Sequence, residues 1–528
     1  MMRARTFISL CLLALLATSC VASTPAVRSG VWYEIFVRSW YDSNGDGVGD
    51  LNGVTAKLDY LKALGVDGIW LMPINPSPSY HGYDVTDYQS INPEYGTLDD
   101  FKALLAAAHQ RGIRVIMDMV INHTSNQHPW FKSAKAASSP YRGWYIWADQ
   151  YTDVDTPNAF GGRAWNSTGN DWYLSIFDSG MPDLDFDNPD VRARMIAIGQ
   201  FWLQQGVDGF RLDAARHLYE DLSSDMAGTR AMQKNIGWWA EYRHGLDAVN
   251  PAAYLVGEVS VSDADRLARY LGPLDAVFDF PAATAMINAA RSESRQDIAA
   301  SLQNMYQSFA YAAYAGGGPR AVGQRETAGS GVIQDAPFLS NHDQDRVMSQ
   351  LDGSDRHMRM AAAMLLTLPG QPFLYYGEEL GMRGRKPDPD LRAPMRWQRA
   401  PDALGETRWH AVAAENGPAI SVEAQSGDAN SLLNFYTRLI HWRIDLPVLR
   451  NGSFHAYPAS SDHLVAWVRG EGDEAVLVVH NLAGAAQSMA LNVPDEPAFT
   501  NVVEQSGAGA SLAGSTLHMQ PYSTVVIQ

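Results

Sequence analysis

The sequence predicts an α/β protein: a (β/α)8 barrel of the TIM type, a domain inserted after the third strand, and a C-terminal antiparallel β-sandwich. Three observations carry that expectation. Eight short apolar runs of strand character alternate with helical stretches between residues 30 and 450. Polar and ionisable residues gather at the C-terminal ends of those runs, where such barrels keep their active sites. From about Gly452 the helical pattern stops, and short β runs follow, separated by Gly, Asp and Ser turns. The expected boundaries are 1–29 for a targeting segment and tether, 30–123 and 191–450 for the barrel, 124–190 for the inserted domain and 451–528 for the sandwich.

The chain has 528 residues, more than one ordinary core. Hydrophobic content of 46%, with 15 Trp and 23 Tyr, says globular rather than disordered. The formal charge of -18 argues against a nucleic-acid partner, which needs a basic face. At the N-terminus, Arg3 and Arg5 precede an apolar run, Phe7 to Ala17, too short to span a bilayer as a helix. That run closes on Ala17-Thr18-Ser19-Cys20, similar to a bacterial lipoprotein cleavage site, with Ala17 where Leu is more usual. The expectation is export, with Cys20 as a lipid anchor to a membrane or cell surface. Ordinary signal cleavage, for instance after Ala22, is the alternative. Cys11 would leave with the signal, so the mature protein is expected to have no internal disulfide.

Gly30 to Trp40 reads as the first strand. After it, Asp42-Ser43-Asn44-Gly45-Asp46-Gly47-Val48-Gly49-Asp50 sets oxygen donors at alternate positions with Gly at the turns. That pattern predicts a structural Ca2+ held by Asp42, Asn44, Asp46, the Val48 carbonyl and Asp50. The loop lacks an EF-hand's distant Glu and flanking helices, and a plain Gly/Asp turn is the alternative. Leu51, Val54, Leu58 and Leu61 form one helical stripe with Gly65 past its end. Gly65 to Leu71 is the second strand, and its opening Gly-Val-Asp-Gly recurs at Gly206. Thr97 caps the next helix, Asp99 and Asp100 lie in its first turn, and Gly112 ends it.

Ile113 to Met119 is the third strand, with Asn122 and His123 beyond it. The segment from Thr124 to about Asp190 is too long for a barrel loop and rich in Trp, so it reads as an inserted domain with a small aromatic core. Gly206 to Leu212 is the fourth strand. Alternation puts Arg211 and Asp213 on one face, where the guanidinium would hold the carboxylate ionised and oriented for covalent attack. An isolated Arg-x-Asp can equally be a structural ion pair. Tyr254 to Val259, carrying Glu258, Ala276 to Phe280, Phe338 to Asp343 and Pro372 to Tyr376 complete the eight. Gly316 to Gly331 and Pro401 to Asn430 read as loops.

At this point the residues resemble a known family. Asp118-Met119-Val120-Ile121-Asn122-His123, Gly209-Phe210-Arg211-Leu212-Asp213, Gly257-Glu258 and Phe338-Leu339-Ser340-Asn341-His342-Asp343 are similar to motifs of the α-amylase family of glycoside hydrolases, family 13. Met181-Pro182-Asp183-Leu184-Asp185, Gly82-Tyr83-Asp84 and the run from Gly370 to Glu379 match further motifs, in the family's order.

The resemblance implies Asp213 as nucleophile, Glu258 as general acid/base and Asp343 as stabiliser of an oxocarbenium-like sugar. Arg211 would lower the pKa of Asp213, and neighbouring carboxylates would raise that of Glu258. His123 and His342 would hydrogen-bond the sugar before the scissile bond, Tyr83 would stack on it, and Asp84 would close its pocket. Arg216-His217 would line the leaving-group side. A second metal site would use Asn122, Asp183 and the carbonyl of His217.

The implied activity is hydrolysis of α-1,4 links in starch, glycogen or maltooligosaccharides with retention of configuration, by an exported, monomeric enzyme. An α-glucosidase or transglycosidase is the alternative, and a non-catalytic sugar-binding lipoprotein a more distant one. Ala214, Arg216-His217 and the Met181 motif each lean toward α-1,4 rather than α-1,6 specificity.

Overall fold

The computed structural model describes residues 30–158, 161–219, 229–315, 333–494, 496–507 and 509–528. The signal segment with Cys20 and the expected loop of residues 316–331 lie outside the described residues.

Among the described residues the barrel strands are β1 (Trp32–Ile35), β2 (Gly68–Leu71), β3 (Arg114–Met119), β6 (Gly209–Leu212), β7 (Tyr254–Gly257), β8 (Ala276–Val277) and β9 (Phe373–Tyr375). They pair in parallel in the order β8-β7-β6-β3-β2-β1-β9. The gap between β8 and β9 closes through two isolated parallel bridges, Phe278 to Ala336 and Phe338 to Phe373. The seventh expected strand, Phe338 to Asp343, is therefore corrected. Only its first residue is bridged, and the rest turns away as irregular backbone. Pro337 cannot donate to a ladder, although its carbonyl accepts from Phe373 N at 2.9 Å.

Other boundaries contract for local reasons. The first strand ends at Ile35, and Val37–Trp40 forms a single helical turn. The sixth stops at Val277 because Asp279 caps the following helix, accepting from Ala282 N, with Pro281 in that helix's first turn. The expected helix after the Asp42 loop is two segments, Leu51–Ala56 and Leu58–Leu64, the second ending on Gly65 in the left-handed region. Thr97 and Asp100 cap each other reciprocally at the start of Leu98–Gln110.

Strand alternation sorts each side chain to the barrel interior or to the helical layer. Inside lie Trp32, Trp70, Ile116, Tyr254, Val256, Phe278, Phe338 and Phe373, a closed apolar cluster. Two residues further along four of these strand segments the inward column turns ionisable. Trp32 is followed by Glu34, Ile116 by Asp118, Gly209 by Arg211 and Val256 by Glu258. The apolar layer thus floors a charged one. Gly209 is required at the start of β6, since a Cβ there would lie 1.9 Å from the Tyr254 carbonyl oxygen.

The segment after β3 carries β4 (Trp165–Ser167), β5 (Trp172–Leu174) and the short helix Pro129–Ala134. Its aromatics are mostly core. Phe131 contacts the rings of Tyr145, Trp147 and Tyr173 at centroid distances of 5.0, 6.0 and 4.8 Å. At the C-terminus, the sheet of β10 (Phe454–Ala456), β11 (Leu464–Arg469), β12 (Val476–Asn481), β17 (Ser523–Ile527) and β14 (Val502–Ser506) faces a second of β13 (Gln487–Ala490), β16 (Thr516–Met519) and β15 (Ala510–Ala513). Val465, Trp467, Val476 and Val478 pack toward the barrel, whereas Leu464, Ala466, Leu477 and Val479 form the core between the sheets. This is why β11 and β12 lack a polar face.

Candidate active site

Arg211 is fully buried and serves three carboxyl groups. Its Nη1 donates to Asp118 at 3.0 and 3.2 Å and to Asp213 Oδ1 at 2.5 Å, while Nη2 donates to Glu258 Oε2 at 2.7 Å. Asp118 sits opposite Arg211 in the β3–β6 register, which makes the first contact a product of strand pairing. Asp213 lies one residue beyond β6 and Glu258 one beyond β7. The Ala214 amide also donates to Glu258 Oε2, at 3.1 Å. With both donors on Oε2, a proton on Glu258 rests on Oε1.

A second cluster holds Asp343. His342 is fully buried, with Nδ1 2.6 Å from Glu34 Oε1 and Nε2 3.0 Å from Asp343 Oδ2. Arg392 Nη2 donates to Asp343 Oδ1 at 2.8 Å, and its Nε to the His342 carbonyl at 3.0 Å. Tyr83 joins the clusters: its hydroxyl donates to Asp118 Oδ2 at 3.0 Å and lies 2.6 Å from His342 Nε2. The Tyr83 and His342 rings stack at 5.4 Å.

The electrostatics divide the three acids. Burial pushes Asp213 above the ordinary carboxylate range, with Arg211 countering it. Arg211 lowers Asp213 as expected, through its charge and its hydrogen bond, but burial outweighs it and the net shift is upward. Glu258 is also raised, by burial first and then by the charges of Asp213 and Asp343, against Arg211. Asp343 is held well below the usual range: burial opposes ionisation, and His342 and Arg392 overcome it. His342 goes up to about 9, since Asp343 and Glu34 outweigh its burial. His123 falls to about 4 through burial, so its ring is neutral near pH 7.

A cavity of about 470 Å³ opens on these groups, lined by Tyr83, His123, Asp213, Ala214, His217, Glu258 and Asp343 among others. Phe177 and Met181 bring the inserted domain to one wall, and Asp388 and Arg392 the segment after β9 to another.

Of the four expected sugar contacts, Tyr83 and His123 line the cavity, whereas His342 and Asp84 lie outside its lining. Tyr83 lines the cavity, yet its ring stacks on His342. Both His342 nitrogens face protein groups, so the ring orients Asp343. Asp84 accepts hydroxyls from Ser77, at 2.5 Å, and Ser79, which braces its own loop. His123 lines the cavity while its Nε2 bonds the Tyr83 carbonyl at 2.9 Å. Glu34, Asp118 and Arg392 were given no role by sequence reasoning, Asp118 standing only as the opening residue of a matched motif. The first two carried a signal, an acid inside an apolar strand; Arg392, in irregular chain, carried none.

The Asp42–Asp50 loop offers the hard oxygens a Ca2+ takes. Asp42 accepts from the amides of Gly45 and Gly47 at 2.6 and 2.7 Å, Asn44 from Asp46 at 2.9 Å and Asp46 from Val48 at 2.8 Å. Asp50 holds Ser43 N and Gly53 N at 2.8 and 2.7 Å. An oxygen accepting one amide keeps a lone pair for a cation, so the donor chemistry fits. Among the described residues, no three His, Cys, Asp or Glu side chains yet converge as a metal cluster. At the other expected site, Asn122 Nδ2 donates to Asp183 Oδ1 at 3.1 Å, and the His217 amide donates to Ala214 O.

Comparison with known proteins adds the family. The model of the α-amylase catalytic domain matches residues 34–452. The chain belongs to the α-amylase family of glycoside hydrolases. The model of the α-amylase SusG C-terminal domain matches residues 464–526. α-Amylase 3 of Dictyoglomus thermophilum is 38% identical over 96% of this chain and 94% of its own. Trehalose-6-phosphate hydrolase of Bacillus subtilis is 31% identical over 95% and 98%. The crystal structure of an α-amylase from H. orenii superposes with a TM-score of 0.83 at 40% identity, covering 94% of this chain and 99% of that one. This α-amylase family member is therefore a glycoside hydrolase, and the relatives it resembles are named for different activities.

Proposed function

We propose that this enzyme hydrolyses α-1,4-glucosidic bonds of starch, glycogen or maltooligosaccharides, as an α-amylase, with retention of anomeric configuration. The observation that carries the reading is one guanidinium bridging two cavity-lining acids, Asp213 on Nη1 and Glu258 on Nη2, beside a third acid held ionised. Glycosidic cleavage needs one carboxyl to attack or stabilise and another to deliver a proton. Asp213 Oδ1 is pinned by Arg211, which fixes the carboxylate's orientation, and it attacks the anomeric carbon. Glu258, raised by burial and by its acidic neighbours, brings the proton on Oε1 to the leaving oxygen. The C–O bond breaks as the bond to Asp213 forms. Glu258, now ionised, takes a proton from water as that water displaces Asp213. Asp343 supplies the fixed negative charge that favours the oxocarbenium-like transition state.

Two features support α-1,4 over α-1,6 preference. Ala214, Met181 and His217 all line the cavity, so the residues whose types lean that way are in contact with substrate space. The similar α-amylases from D. thermophilum and H. orenii favour the same choice. An α-glucosidase or transglycosidase acting on short maltooligosaccharides is the second reading. We also propose a Ca2+ on the Asp42–Asp50 loop, with a stabilising role away from the reacting bond.

Product analysis over time on starch, maltotriose and isomaltotriose tests the reading. Mixed maltooligosaccharides released early from starch are expected. The ratio of kcat/KM for maltotriose over isomaltotriose should be at least about tenfold, roughly 1.4 kcal/mol of differential transition-state binding. Glucose as the sole early product would favour the second reading. Faster isomaltotriose cleavage would overturn the linkage.

A further inference from the structure

Four residues past Glu258 the chain borders a second cavity, of about 320 Å³, that no part of the mechanism uses. Ser260 lines the active-site cavity and Ser262 the second one. Two residues of fully extended chain span at most about 7 Å, so the two walls share one short segment. That segment is held from the active-site side, where Arg216 Nη1 donates to the Ser260 carbonyl at 2.7 Å.

The lining is split by chemistry. Leu302 and Met305, both buried, and Ala285 supply an apolar surface. Asp265, Ser301 and Asn304 are exposed polar groups around it. The helix Ile298–Ala315 places Ser301, Met305 and Ser308 along one face by its three- and four-residue spacing. A pyranose ring has the complementary split, with C–H groups on its faces and hydroxyls at its rim. Carboxylate, amide and hydroxyl side chains around an apolar floor are what fix such a ring in orientation. A phosphorylated sugar fits poorly, because the charged side chains of this wall are Asp263 and Asp265.

We propose that this cavity binds a glucosyl unit of the departing part of a long α-glucan. It lies on Glu258's own segment, and Glu258 is the group that protonates the leaving oxygen. The assignment rests on the glucan reading above and extends it: the second cavity makes binding improve with chain length beyond what the active-site cavity holds.

Equilibrium binding to the full chain carrying Glu258→Gln tests this, with maltotriose and maltoheptaose as probes. Adding Asp265→Ala with Asn304→Ala should weaken maltoheptaose about tenfold and leave maltotriose unchanged. Ser301→Arg, an exposed helix position, should do the same by filling the cavity. If both backgrounds bind maltoheptaose equally, or if the two probes weaken together, the second cavity is not a glucan site. Activity of the unsubstituted enzyme judges the other reading separately. An enzyme that cuts no α-glucan refutes the proposed function, whereas the binding difference alone decides this cavity.

Discussion

At the scale of single residues, the site turns on which group carries charge. Glu258→Gln keeps the shape and loses the transferable proton, so kcat should drop about 10²- to 10⁴-fold. Asp213→Asn removes the attacking oxygen's charge and should drop it at least as far. Both proteins should melt near the parent temperature, and proton NMR of the parent's first product should show the α-anomer. A β-anomer would end the two-step mechanism. Glu34 makes a separate forecast. With Asp343, it raises His342 to about 9. The folded value lies above the ordinary imidazole range, so the stability this charge contributes is fully present below about 6.5 and is lost as pH rises through about 9. Glu34→Gln removes one of the two raising charges. The pH at which the His342 ring loses its proton, followed by NMR, should then fall, and an unmoved value would mean Glu34 does not hold that proton.

At the scale of an element, two short stretches decide more than their length suggests. The Asp42–Asp50 loop has every carboxylate on its own backbone amides. It is ordered by Asx-type turns, and a bound Ca2+ would stabilise the native state by mass action. Chelation should lower the melting temperature of the parent and leave Asp46→Ala unaffected; equal melting with and without chelator would reduce the loop to a turn. The strand end at Ala214 is the other case. Its φ of +48° is left-handed, while its amide points at Glu258. A β-branched side chain there is strained, so Ala214→Val should cost about 1–3 kcal/mol in stability. The same change should narrow the gap between maltotriose and isomaltotriose. Ala214→Gly relieves the strain and should leave that gap open, so comparing the two variants separates wall shape from backbone cost.

At the scale of the whole molecule, the barrel is closed least evenly between β8 and β9, where two bridges stand in place of a ladder. Two buried acids flank that seam. Asp279 N donates to the Ala336 carbonyl, and Asp335 precedes Ala336. Asp279 Oδ2 and Asp335 Oδ1 take no hydrogen bond among the described residues. Burial pushes Asp279 up to about 7, and burial with the charge of Asp279 raises Asp335. The folded protein thus binds these protons more tightly than the unfolded chain does. Stability from this pair is present at acid pH and is lost as pH rises from the ordinary carboxylate range through about 7. Asp279→Asn keeps an N-capping side chain for Ala282 and cannot ionise. It should stabilise the protein at pH 8 relative to the parent, by about 1–3 kcal/mol of recovered desolvation, seen as a higher melting temperature there and a flatter profile from pH 5 to 8. A variant less stable at both ends of that range would refute the pair's role.

The linear sequence determined the barrel's alternation, the inserted and terminal domains, and the acids at the strand ends. Each of these is local: a period of two puts Asp118, Arg211 and Glu258 on inward faces wherever the strands pair, and an apolar run next to a turn announces itself. Asp213, Glu258 and Asp343 were legible because each ends or follows such a run, in a motif whose order the family shares. Tertiary structure decided what those groups do to one another. Arg211 looked like the partner of Asp213 alone; strand pairing with β3 added Asp118, and the next strand added Glu258, and burial at this depth outweighs the lowering that Arg211 exerts on Asp213. His342 looked like a sugar ligand until β1 brought Glu34 beneath it. Arg392, 49 residues from Asp343 in irregular chain, had no period to betray it. Electrostatics depends on distances through space and on burial, and neither is written along the chain until strands from its two ends lie side by side.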